Sequence, residues 1–271
     1  MTSRLDKKTG EPKRPARSTL QSESVALRQV LKTANRYGWL AHLPDTSNPY
    51  KTSGKISHRA WFSPDEYKRL YEATRARVKN PKNSRWKEAC ENLHDYVLFM
   101  ANTGLRPDEA ARLEFRDVAI VTDEATGERI LEIDVRGKRG VGYCKSMTGA
   151  VLPFQRLARR NRTKPTDRVF GKSKSQRELL NAILHELELK FDRDGNRRTA
   201  YSLRHTYICL RLMEGADIYQ VAKNCRTSVE MIEKYYASHI KNTLDAAAIN
   251  VRKTKPSTKT EDPPDPTHND R

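Results

Sequence analysis

No apolar run in this sequence approaches the ~18 to 20 consecutive residues that span a bilayer, and the N-terminal stretch MTSRLDKKTGEPKRPARS lacks the apolar core of a signal peptide. A cytoplasmic protein with no membrane partner is therefore expected. Cysteine is scarce. Cys90, Cys144, Cys209 and Cys225 form no C-x-x-C pair and have no histidine at metal-ligand spacing, so buried, reduced thiols are expected rather than a metal site. Glycine is sparse as well. Its densest run, between Gly137 and Gly142, is not followed by the Gly-Lys-Ser/Thr that opens a helix in a phosphate-binding loop, so a nucleotide site is not indicated. Negative charge is also in short supply, since 34 Asp and Glu face 52 Lys and Arg for a formal net charge of +18.

The excess is not confined to the ends. Residues 1–18 contribute +4 and residues 252–271 contribute +1, which leaves +13 on residues 19–251. A positive field on the main body of the chain points to a polyanion, most simply nucleic acid. The apolar fraction of 36% is low and the charged fraction of 32% is high, so part of the chain is expected to stay disordered. The polar, Pro-containing stretches 1–18 and 252–271 are the candidates. The first of them could also touch phosphates.

Apolar spacing over Leu20, Val25, Leu27, Val30, Leu31 and Ala34 predicts an amphipathic helix ending near Gly38, and Pro44 to His58 reads as a linker. Ser63-Pro64-Asp65-Glu66 is a strong helix start running to about Val78, and a long helix over Trp86 to Met100 ends at Gly104. Pro107 to Leu113 predicts a short helix. Asp117–Thr122 and Arg129–Val135 read as a β-hairpin, followed by a basic Gly-rich turn and a return through Ala150–Pro153. Phe154–Asn161 predicts a short helix bearing Arg156, Arg159 and Arg160, either on phosphates or in water. Ser173–Leu189 is amphipathic, and Asp192–Arg198 is a polar loop. The fold expected is mainly α with a small antiparallel β-hairpin sheet.

The densest chemistry lies in Tyr201 to His239, YSLRHTYICLRLMEGADIYQVAKNCRTSVEMIEKYYASH. Arg204 and Tyr236 stand about thirty residues apart, far enough for short helices to bring a guanidinium near a phenol. A planar fork of donors suits phosphate oxygens, and a tyrosine oxygen attacks only where the charge on its target is stabilised. Ser202-Leu203-Arg204-His205-Thr206 resembles the LRHT box of the tyrosine recombinase (phage integrase) family. Thr227 to Lys234 resembles its tyrosine box, and Thr103-Gly104-Leu105-Arg106-Pro107-Asp108-Glu109-Ala110 resembles its TGLRxxEA box. The likeness covers roughly residues 60 to 240. It implies a catalytic domain at 57–251, preceded at 19–56 by a remnant core-binding helix and linker; simple packing of that helix against the main domain is the alternative.

On this resemblance the partner is double-stranded DNA; Arg106 and Arg204 hold its scissile phosphate and Tyr236 attacks it, giving a 3′-phosphotyrosine and a free 5′ hydroxyl. Lys138, with Lys145 as the alternative, protonates the leaving oxygen, and Glu109 buttresses the site. Without the resemblance, Arg106 reads as the partner of Glu109 in a surface ion pair, and the run Arg136-Gly137-Lys138-Arg139 as a solvated basic turn. Arg136, Arg139, Lys145, Arg156, Arg159 and Arg160 are candidate DNA contacts. One phosphodiester is exchanged for another, so no metal and no cofactor is implied. The segment after Tyr236 either docks on another recombinase protomer or packs on its own chain. The sequence departs from the family at Tyr201, where a histidine is usual, at Thr227, where His or Trp is usual, and at Arg226, where Gly is usual. His205 reads as a structural residue bonded to the backbone, and Tyr235 competes with Tyr236. A catalytically weak fragment acting as a DNA-binding accessory protein is the rival reading, and a type IB topoisomerase a third.

Overall fold

The computed structural model describes residues 4–5, 10, 12–13, 15–46, 59–137, 140–162, 164–171 and 174–236. The chain divides into two compact units, 1–55 and 56–271. In the first, β1 (Arg4–Leu5) and β2 (Pro12–Lys13) pair antiparallel, and α1 (Arg17–Arg36) follows. This corrects the expectation of an unstructured stretch over 1–18. Gly10 lies between the strands at φ 70°, a left-handed conformation that glycine adopts without strain, and the helix begins directly after Pro15-Ala16. No residue of α1 is buried. Tyr37 stacks on Trp39 just past its end, with ring centroids 5.2 Å apart.

The second unit opens with α2 (Pro64–Lys79), capped as its sequence predicts. The Ser63 hydroxyl accepts from the Glu66 N–H at 3.3 Å, and the Glu66 carboxylate accepts from the Ser63 N–H at 2.9 Å. After a 3-10 turn, α3 (Lys87–Thr103) runs through the centre of the larger apolar core, where Leu93, Val97, Phe99 and Met100 are buried. It ends at Gly104, at φ 64°, where a Cβ would lie 2.5 Å from the Tyr207 ring. Only glycine fits there, on both backbone and steric grounds. The next helix, α4 (Pro107–Ala110), is a single turn and stops short of the expected Leu113.

β3 (Val118–Thr122), β4 (Arg129–Gly137) and β5 (Gly140–Lys145) form one antiparallel sheet in that order. The third strand takes Gly140–Gly142 from the expected basic turn 136–142 and continues to Lys145. Cys144 is its one buried residue, so there is no apolar alternation to read. The supposed return through Ala150–Pro153 is instead the start of α5 (Val151–Asn161), where Pro153 needs no N–H in the first turn. α6 (Lys174–Glu186) buries Leu180, Ile183 and Leu184. Then α7 (Ala200–Met213), α8 (Ile218–Asn224) and α9 (Val229–Tyr235) enclose a second apolar cluster that includes Ile208, Cys209, Val221, Cys225, Ile232 and Tyr236. All four cysteines are buried and free. Among the described residues no helix is long and apolar enough to cross a membrane.

Two of the candidate DNA contacts are committed to the fold. Asp95 of α3, 1% exposed, receives Arg156 Nε at 2.7 Å and also pairs with Arg160, both from α5. A buried carboxylate needs such partners, so these arginines tie α5 to α3. Arg159, between them, is exposed. Asp95→Asn should lower stability by roughly 1–3 kcal/mol, because the bonds that the buried carboxylate accepts from Arg156 and Arg160 lose their charge. Chemical denaturation checks this, and an unchanged midpoint would refute the structural role.

Candidate active site

The sequence-predicted residues converge. Arg106, Tyr201, Arg204, His205, Thr227 and Tyr236 line one cleft of about 510 Å³, together with Arg59, Arg197 and Tyr235. Four arginines and no carboxylate are among its lining residues.

Arg204 sits on α7 and is 2% exposed. Its Nη1 donates to the Gly104 carbonyl at 2.5 Å and its Nη2 to the Cys225 carbonyl at 2.5 Å, which leaves further donors of the fork for a ligand. Arg106 lies at the N-terminus of α4, with an extended backbone that projects it from the chain. Its Nη1 donates to Glu109 Oε1 at 2.8 Å and its Nη2 to the Arg226 carbonyl at 2.9 Å. Arg106 lines the cleft and also pairs with Glu109, but the pair is buried rather than the surface ion pair that the sequence offered as the alternative. Glu109 is 4% exposed. Burial alone would raise its carboxyl, but the Arg106 N–H and the guanidinium groups of Arg226 and Arg106 outweigh that and hold it below the usual range.

His205 was expected to bond the backbone; instead its Nδ1 lies 2.5 Å from the Tyr236 hydroxyl. Burial, reinforced by the charges of Arg59 and Arg204, pushes this imidazole from 6.5 down to about 3, so it is neutral at ordinary pH. A neutral ring with its proton on Nε2 accepts the phenolic hydrogen bond at Nδ1. Burial in turn raises Tyr236, with Arg204 opposing, and keeps its hydroxyl protonated. Tyr201, 40% exposed, lies against His205 with ring centroids 5.0 Å apart and the planes tilted by 42°. Tyr235 also lines the cleft, with the Arg59 guanidinium over its ring at 4.7 Å and no hydrogen bond to His205.

Other candidates lie away from this cleft. Lys145 is not among its lining residues; its ammonium pairs with Asp123 at 3.0 Å and Glu132 at 3.7 Å on the sheet. Arg136 pairs with Asp117 at 2.7 Å. Lys138, Arg139 and the segment after Tyr236 lie outside the described residues, as do the linker positions 47–58 and the tail 252–271. Sequence reasoning missed Arg59 and Arg197. Arg59 adjoins the linker and Arg197 sits in a polar loop, so neither carries a periodic or motif signal.

No protein-family model and no curated protein matches this chain. Among solved structures it is similar to the XerH site-specific recombinase bound to difH substrate in a pre-cleavage complex, at 16% identity and a TM-score of 0.55 over 81% of this chain. The match spans 62% of that recombinase's length. It is also similar to the Tn1549 transposon integrase in complex with circular intermediate DNA, at 15% identity and a TM-score of 0.56, covering 88% of this chain and 80% of that one. Mainly helical, with one small antiparallel sheet, the larger unit has the fold of the tyrosine recombinase catalytic domain.

Proposed function

We propose that this chain breaks and rejoins DNA strands in site-specific recombination, by phosphodiester transesterification through Tyr236. The observation that carries the reading is a buried tyrosine hydroxyl in a cleft lined by four arginines and no carboxylate. Arg106 and Arg204 take the non-bridging oxygens of the scissile phosphate and stabilise the charge that builds there. The Tyr236 oxygen bonds to phosphorus, the bond to the 5′ oxygen breaks, and Lys138 protonates the leaving oxygen. The phenolic proton has an acceptor at hand in His205. Burial is the main cause that holds His205 down, and an arriving phosphate anion offsets the smaller part due to the fields of Arg59 and Arg204, which raises its basicity when substrate is present. Tyr201 and Thr227 supply hydroxyl donors where the related family usually has stronger ones. Residues 19–56 are, on this reading, the remnant of a core-binding domain.

The test is covalent trapping on nicked duplexes. The unmodified chain and Tyr235→Phe should form a denaturant-stable 3′ adduct, and Tyr236→Phe none. Loss with Tyr235→Phe and survival with Tyr236→Phe would assign the other tyrosine. Absence of adduct in every case, even with a core-binding domain supplied, would favour the DNA-binding accessory reading.

A second expected outcome concerns pH. His205 titrates at about 3 in the folded chain against 6.5 ordinarily, so the unfolded chain binds the extra proton between those values. The stability contributed by neutral His205 is full above pH 6.5 and is lost as the pH falls toward 3. His205→Asn should flatten the stability-versus-pH curve over that interval in denaturation measurements. An identical curve for the variant would mean that His205 does not titrate there.

A further inference from the structure

Arg226 is one of two described non-glycine residues in the left-handed region, at φ 50°. Glycine would take this turn between α8 and α9 at less cost, so the arginine side chain needs a reason. The turn presents two consecutive carbonyls, that of Cys225 to Arg204 and that of Arg226 to Arg106. The Arg226 side chain also reaches back: its Nη2 lies 2.6 Å from Glu109 Oε2, on the carboxylate whose other oxygen holds Arg106. On the way it crosses β5 at Gly142, where a Cβ would come within 3.0 Å of Arg226 Cδ. One carboxylate is thus shared by two guanidinium groups.

The charge balance follows directly. Glu109 paired with Arg106 alone would leave a neutral pair at the phosphate-binding position; with Arg226 added, the cluster carries one net positive charge. Arg226 itself is not among the residues lining the cleft. We infer that Arg226 is a positioning residue of the phosphate site, sharing the Glu109 charge with Arg106 and locking the α8–α9 turn to β5 so that both cleft arginines face the ligand. This rests on the phosphodiester reading above and adds to it a third arginine that acts without touching substrate.

The experiment compares Arg226→Gly and Arg226→Lys with the unmodified chain. Arg226→Gly relieves the left-handed backbone but takes one of two cations from the buried Glu109, so its denaturation midpoint is measured and adduct rates are compared where both chains are fully folded. Its single-turnover rate of adduct formation at saturating DNA should then fall by at least about tenfold, with Arg226→Lys recovering part of the loss. Repeating the substitution in the Tyr236→Phe background and following stabilisation by inorganic phosphate reads the cleft without cleavage; weaker phosphate binding is expected there. A wild-type rate and wild-type phosphate affinity in Arg226→Gly would overturn the inference, as would a loss that merely tracks lowered stability. Should the unmodified chain form no adduct, the nucleophile reading falls and the phosphate measurement alone decides this one.

Discussion

The Arg204 guanidinium is the interaction on which the rest of the site depends. A cation 2% exposed is tolerable only if its donors are met, and here they meet carbonyls from two distant places, Gly104 at the end of α3 and Cys225 at the end of α8. The side chain therefore ties the C-terminus of the central helix to the turn that leads into α9 and Tyr236. Gly104 must be glycine for the same reason: its carbonyl serves Arg204 while Tyr207 fills the space a side chain would need. Removing the guanidinium would leave two buried carbonyls unpaired, a cost of about 1–3 kcal/mol each, and would uncouple three helices at once.

Around that tie the electrostatics are one-sided. The carboxylate nearest the cleft, Glu109, is turned into Arg106 and Arg226, and the histidine beside Tyr236 is held neutral by burial and by neighbouring positive charge. Positive charge gathered with so few counter-ions is unfavourable in the free protein and becomes favourable when an anion enters. Burial likewise keeps the Tyr236 hydroxyl protonated, with the Arg204 charge opposing it.

Much of this was legible in the chain itself. The capping box at Ser63, the period of α3 and α6 and the glycine at 104 are local signals, governed by backbone geometry and one-sided burial, and they appear in the structure where the sequence puts them. The boxes around Arg106 and Arg204 were readable as motifs for the same reason: their residues are close in sequence. β5 was not, because its exposed residues leave no alternation, and neither was the role of Arg156 and Arg160, since nothing local marks Asp95 as their buried partner sixty-odd positions away.

What the sequence alone determined was the inventory: the basic balance, the two arginine boxes, the competing tyrosines and the helices that carry them. Tertiary structure decided which members of that inventory meet. It set Tyr236 rather than Tyr235 against His205, placed Arg59 over the Tyr235 ring, paired Lys145 with Asp123 and bent Arg226 onto Glu109. Those outcomes depend on the directions of side chains from elements far apart in the chain, and burial converts each direction into a charge state. Neither the directions nor the dielectric surroundings exist until the helices have packed.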